Sequence, residues 1–109
     1  NKRKLADAFS RLADTYYMTK KDEEAIKYYK EVLKLNVGFE DQALYNISKS
    51  YGYIEKEDEK IESLLQILSK YKSSKYYLSS LFDLAHSYKS VKKDYVNAIK
   101  YFEIIINNT

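Results

Sequence analysis

The fold is decided by the stretch ADAFSRLADTYYMTKKDEEAIKYYKEVLKLN, residues 6–36. Its apolar residues recur every three or four positions in two runs, which is the spacing of one face of an amphipathic helix. A polar segment that begins at Thr19 separates the two runs, and Asp22 is a candidate N-cap for the second. Asn36 or Gly38 suits the left-handed backbone that commonly ends a helix. The stretch therefore predicts two helices joined by a short turn.

The same pattern occurs three times along the chain. In the first helix of each unit, two large side chains, a small one and an aromatic one stand at offsets 0, 3, 4 and 7. These offsets fall on one helix face. The three sets are Phe9, Leu12, Ala13 and Tyr16; Leu44, Ile47, Ser48 and Tyr51; and Leu81, Leu84, Ala85 and Tyr88. Repetition at this period predicts an all-α fold of six helices in three stacked antiparallel pairs, forming a short superhelix.

The small residues of the pattern have a structural purpose. Ala13 and its counterparts let the partner helix approach closely, and Ala25 and Ala98 provide the matching shallow position on that partner. A large side chain there would overpack the contact, at a cost of ~1–3 kcal/mol. In the second unit, Ser48 and Lys60 occupy these positions, so this copy of the pattern is degenerate.

These residues resemble the tetratricopeptide repeat, whose pattern is W-x2-L-G-x2-Y, then A-x3-F, then P. The segments Ala25-x-x-x-Tyr29 and Ala98-x-x-x-Phe102 match its second part, while no copy has the Trp or the Pro. The resemblance implies a single domain with repeats at about 6–39, 41–74 and 78–109, which form a right-handed superhelix. Because the sequence starts at Asn1 without Met and stops abruptly at Thr109, we expect it to be a fragment of a longer protein. The repeat length and the segment 68–77 are similar to bacterial cell-envelope members, namely outer-membrane-assembly lipoproteins and Tol–Pal accessory proteins. This likeness favours the periplasm or cell envelope over the cytoplasm.

Composition argues against several functional classes. The chain has no Cys, so disulfides and thiolate metal sites are excluded. His86 is the only histidine, and neither a glycine-rich phosphate loop nor a nucleophile motif is present. No apolar run approaches the roughly 20 residues of a membrane span. We therefore expect a non-catalytic protein without cofactor or metal, and without a membrane span in this stretch.

In proteins with the tetratricopeptide repeat, the first helix of each unit lines a concave groove that binds a peptide or a helix. Chaperone-binding members hold a C-terminal carboxylate with Lys and Asn, at positions where this chain has Ser10 and Asp14. An aromatic groove suits an apolar or helical ligand segment better. The groove candidates are Ser10, Asp14, Tyr17 and Met18 in the first repeat, Gln42, Tyr45, Asn46, Lys49 and Tyr53 in the second, and Ser79, Phe82, Asp83, His86 and Lys89 in the third.

Three hypotheses for function follow. The leading hypothesis is a scaffold that binds a protein or peptide segment in the groove. The alternative is a structural spacer, or a module that self-associates through an exposed apolar face on the last helix. That face is expected to hold Ile99, Phe102, Ile105 and Ile106. RNA binding is a third hypothesis, but the net charge of +3 comes with no arginine-rich stripe, so no nucleic-acid partner is expected.

Overall fold

Antiparallel helices make up the architecture of this chain, as the computed structural model shows for residues 1–108. The predicted end of the third repeat at Thr109 lies outside the described residues. Over that range the elements are α1 Lys2–Met18, α2 Asp22–Leu35, α3 Glu40–Tyr53, α4 Glu57–Lys70, α5 Tyr77–His86, a π-helix Ser87–Val91, and α6 Tyr95–Asn107.

Each helix packs mainly on the helices before and after it in the chain, which is the arrangement of a helical repeat array. The molecule is accordingly elongated, with extents of 43 × 28 × 18 Å. No strand occurs within residues 1–108, and no helix there is long and apolar enough to cross a bilayer. The predicted all-α fold of three stacked helix pairs is confirmed.

The small residues of the repeat pattern lie in the core. Ala13, Ser48 and Ala85 are fully buried on α1, α3 and α5, and Ala25 and Ala98 are buried on the facing helices. One apolar cluster joins α1, α2 and α3, and a second joins α4, α5 and α6. The recurrence of small side chains is therefore explained by close approach of paired helices.

The first helix of each pair ends in a left-handed residue. These residues are Lys20, Glu55 and Lys93, with φ of 62°, 61° and 55°. In the first pair the carbonyl of Tyr16 accepts the N–H of Lys21 at 2.9 Å, which completes the bonding of a Schellman turn. The repeated tyrosine thus supplies a core ring and the carbonyl that fixes the turn. The left-handed ending predicted at Asn36 of α2 is also present, with φ of 52°.

The predicted N-cap at Asp22 is displaced by one residue. Asp22 is the first residue of α2 rather than its cap, and Lys21 takes the cap position without a side-chain bond. The Asp22 carboxylate still lies in the first turn of α2, where it complements the helix dipole. Ser74 accepts the N–H of Tyr76 at 3.0 Å, but α5 begins at Tyr77, so this serine stabilises the turn ahead of the helix.

The third unit contains one extra residue, which the π-helix accommodates. The left-handed residue follows the repeated tyrosine by four positions in the first two units and by five in the third, from Tyr88 to Lys93. A single inserted residue within a helix is commonly absorbed as one wider turn. Lys92, in the turn that follows, forms an ion pair with Asp58 at the start of α4, so the insertion ties the third unit to the second.

The apolar face expected on the last helix is divided by the structure. Ile105 is only 6% exposed and Phe102 is half-buried, and both belong to the second apolar cluster. Including these two in an uncovered face was therefore wrong, because α6 turns them towards α5. Val96 and Ile99 are instead 80% and 57% exposed, and Ile106 is also exposed.

Candidate partner-binding groove

The fourteen predicted groove residues lie on α1, α3, α5 and the π-helix, and none of them is buried. Five of them line one cavity of about 390 Å³, which we call the groove cavity. Three further residues line it as well. The lining is Tyr17, Tyr45, Ser48, Lys49, Gly52, Tyr53, Lys60 and Asp83, drawn from α1, α3, α4 and α5. The groove cavity is thus shared by all three helix pairs.

Tyrosine rings dominate the walls of the groove cavity. Tyr17 of the first pair and Tyr53 of the second have ring centroids 5.8 Å apart and tilted planes. Tyr45 stacks on Tyr76, with centroids 4.9 Å apart. Such pairs are rigid, because each ring limits the rotation of the other, and they offer apolar area at a low entropic cost. This is the surface chemistry that suits an apolar side chain of a partner.

A hydrogen bond fixes the position of Tyr45. Its hydroxyl donates to Asp83 Oδ2 at 3.0 Å, which links α3 to α5. Burial and the nearby Asp83 carboxylate raise the pKa of Tyr45, so the hydroxyl stays protonated at neutral pH. The ammonium of Lys49 lies 5.1 Å from the centroid of the same ring, in cation–π geometry. The polar edge of the cavity is therefore pre-organised.

On the α1 side, burial and Tyr53 raise the pKa of Tyr17 to about 12. Its hydroxyl therefore remains a donor over the physiological range. Asp14, another predicted groove residue, accepts the hydroxyl of Tyr29, which reaches across from α2. Burial raises the pKa of Tyr29 as well. Asp14 thus links α1 to α2 within the first helix pair, and it does not line the cavity.

The family model of the tetratricopeptide repeat matches residues 6–39, which span α1, α2 and the turn between them. The first helix pair is therefore similar to a tetratricopeptide repeat. Repeats of this family generally mediate protein–protein interaction and are typically non-catalytic. A comparison with curated proteins gives no significant match.

The remaining predicted residues lie outside the cavity lining. Phe82 and Met18 are exposed, and Ser79 is close enough to Tyr45 to donate a hydrogen bond to its hydroxyl oxygen, which opposes the rise in the pKa of that tyrosine. The structure therefore gathers the aromatic centre of the predicted tetratricopeptide groove and leaves its periphery at the surface. The residues outside the lining are Ser10, Asp14, Met18, Gln42, Asn46, Ser79, Phe82, His86 and Lys89.

Three lining residues, Ser48, Gly52 and Lys60, were not predicted to line the groove. Lys60 stands where the tetratricopeptide pattern has a small residue, and its stem passes over Gly52. A Cβ on Gly52 would lie 3.3 Å from Lys60 Cδ, so a larger residue at position 52 would crowd it. At the equivalent positions of the first unit the sizes are exchanged, with Tyr17 facing Ala25. This reversal of side-chain size between the first and second units was the sequence feature that could have indicated that Lys60 reaches the groove.

Proposed function

We propose that this chain is a non-catalytic scaffold that binds a protein or peptide segment in the groove. The observation that carries the proposal is the groove cavity, where tyrosines from different helix pairs meet around a space of about 390 Å³. A surface shared among repeats suits an extended or helical segment, because such a segment is long enough to contact several units. The likeness to cell-envelope members adds the proposal that the partner resides in a bacterial envelope.

The bound segment would place an apolar or aromatic side chain among the rings of Tyr17, Tyr45 and Tyr53. Tyrosine is enriched at interfaces because its ring contributes apolar area and its hydroxyl can hydrogen-bond at the rim. Exposed Phe82 on α5 would extend the same contact beyond the cavity. The lining also carries the charged groups of Lys49, Lys60 and Asp83, so burial of the apolar side chain would be combined with polar contacts.

Replacing Tyr45 and Phe82 together with alanine is expected to abolish partner capture. The change removes two of the aromatic rings and the hydroxyl that bonds to Asp83. Truncating a central aromatic residue of an interface commonly costs about 2 kcal/mol or more, equivalent to roughly thirtyfold in affinity. The measurement is affinity capture from bacterial envelope and cytosolic extracts, with captured proteins identified by mass spectrometry and their affinities then measured with purified material.

The matched control replaces Tyr95 and Val96, two exposed apolar residues of α6, with alanine. Circular dichroism must show that both double variants remain folded. Capture that survives the groove change but disappears with the α6 change would contradict the groove hypothesis. Absence of specific capture by all three proteins would favour a structural spacer with no ligand of its own.

A second candidate function is self-association through α6. The supporting observation is the exposure of Val96 and Ile99, which lie one helical turn apart. We expect the mass measured by sedimentation equilibrium to rise between micromolar and near-millimolar protein, and Ile99→Asp to prevent that rise. A strictly monomeric mass over the whole range would refute self-association.

A further inference from the structure

Lys60 occupies an unusual position for a lysine. It belongs to α4, the second helix of its pair, yet it lines the groove cavity together with residues of the first helices. Its Cδ lies 3.3 Å from the point where a Cβ of Gly52 would be, so a larger residue at position 52 would require the Lys60 side chain to shift by a few tenths of an ångström. The side chain of Lys60 is only 20% exposed. A charged side chain from the second helix of the pair thus lines the cavity.

The ammonium of Lys60 has an incomplete set of contacts. Within residues 1–108 it donates no hydrogen bond, and its nearest carboxylate oxygen, Glu57 Oε1, is 4.0 Å away. This distance is beyond that of a hydrogen bond. Glu57 Oε1 is itself buried without a hydrogen-bond donor, and the Glu57 side chain is 16% exposed. An ammonium group can donate three hydrogen bonds, so that of Lys60 retains capacity for another acceptor.

The rest of the cavity lining also favours an anionic acceptor. Two ammonium groups, those of Lys49 and Lys60, line the cavity together with one carboxylate, that of Asp83. Asp83 already accepts the hydroxyl of Tyr45. Within the lining itself, the two ammonium groups therefore outnumber the one carboxylate, and that carboxylate already has a donor.

We infer that the groove cavity receives the side-chain carboxylate of a glutamate or aspartate within the bound segment, with Lys60 and Lys49 as its cationic contacts. This inference rests on the proposed function and specifies the chemistry of the ligand. A carboxylate in the interior of a segment fits better than a chain terminus, since the cavity draws on all three helix pairs and groove residues continue on both sides of it. The neighbouring ligand residue would be aromatic or apolar, facing the Tyr17 and Tyr53 rings.

The test is a selection from phage-displayed peptides of 12 randomised residues, fused to the coat protein so that none has a free C-terminal carboxylate. The library is selected against the wild-type protein and against Lys60→Met, which keeps an unbranched stem over Gly52 but removes the charge. We expect wild-type selections to fix Asp or Glu at one position beside an aromatic residue. The Lys60→Met selections should lose the acidic preference and keep the aromatic one.

Affinities of a synthetic amidated peptide from the selection then complete a double-mutant cycle. Replacing its acidic residue with the matching amide, or Lys60 with methionine, is expected to weaken binding about tenfold or more. The two changes together should weaken it little further. Lys72→Met, at an exposed lysine of the α4–α5 turn, is the control for loss of one positive charge.

The outcomes separate the two proposals. Enriched peptides with no acidic preference, or additive losses in the cycle, would overturn the inference and leave the groove as a binding site. Failure to enrich any peptide would count against the proposed function itself and against the inference that rests on it. Thermal unfolding of Lys60→Met must match that of the wild type within a few degrees for the comparison to be valid.

Discussion

Replacing Leu64 with alanine is expected to lower the free energy of unfolding by about 3 kcal/mol. Leu64 is fully buried on α4 and packs in the second apolar cluster, where Leu81 and Leu84 of α5 also lie. The truncation removes apolar contact area and leaves a cavity that packed helices cannot fill. Because small domains are stabilised by only about 5–15 kcal/mol, this loss is a large share of the total. Urea denaturation followed by circular dichroism measures it.

The matched control for this change is Leu78→Ala, at an exposed leucine of α5. It deletes the same atoms from a side chain that already contacts water, so we expect a loss below about 1 kcal/mol. Equal losses for the two variants would contradict the assignment of Leu64 to the core. A decrease in the denaturant slope would indicate that the units no longer unfold together.

Replacing Ala13 with leucine is expected to destabilise the chain by about 1–3 kcal/mol. Ala13 is fully buried on α1, which packs against α2, where the equally buried Ala25 lies. Three extra carbon atoms would have to push the helices apart or adopt strained rotamers. The effect is opposite to what apolar burial alone would give, and it exceeds the small loss of helix propensity when leucine replaces alanine. The same urea titration measures it.

Ala8→Leu provides the comparison on the same helix, because Ala8 is exposed. Its expected effect is within about 0.5 kcal/mol of zero. If Ala13→Leu were as neutral as Ala8→Leu, close approach of α1 and α2 would not be the reason for the small residue. Close approach of α5 and α6 would then also be in question as the reason for Ala85 in the third unit.

The fold was accessible to sequence reasoning because repeated spacing encodes helix faces directly. The positions of Ala13, Ser48 and Ala85 could be predicted as close contacts since each follows the same large residues at the same offsets. The left-handed ending at Asn36 was predictable as well, because asparagine tolerates that backbone. Local chemistry was sufficient for these features.

Features that depend on contacts between units were harder to predict from the sequence. Lys60 passes over Gly52, which lies eight positions earlier on a different helix. In the first unit the large residue is Tyr17 and the small one is Ala25, so the large and small residues are exchanged between the two units. The π-helix follows from one inserted residue, but spacing alone does not show whether a turn or a helix absorbs it. On α6, periodicity identified an apolar face without showing that Phe102 and Ile105 turn inwards while Val96 and Ile99 do not.

The composition of the groove cavity has a consequence for when the protein can bind. A repeat unit can open locally, since each unit contacts only its neighbours in the array. Fraying of the first pair would withdraw Tyr17 from the cavity, and fraying of the third would withdraw Asp83. In the proposed function, only the array with all three pairs stacked would be competent to bind, and the apparent affinity would fall in proportion to the population of that state. A partner that occupied the cavity would in turn hold the three pairs together.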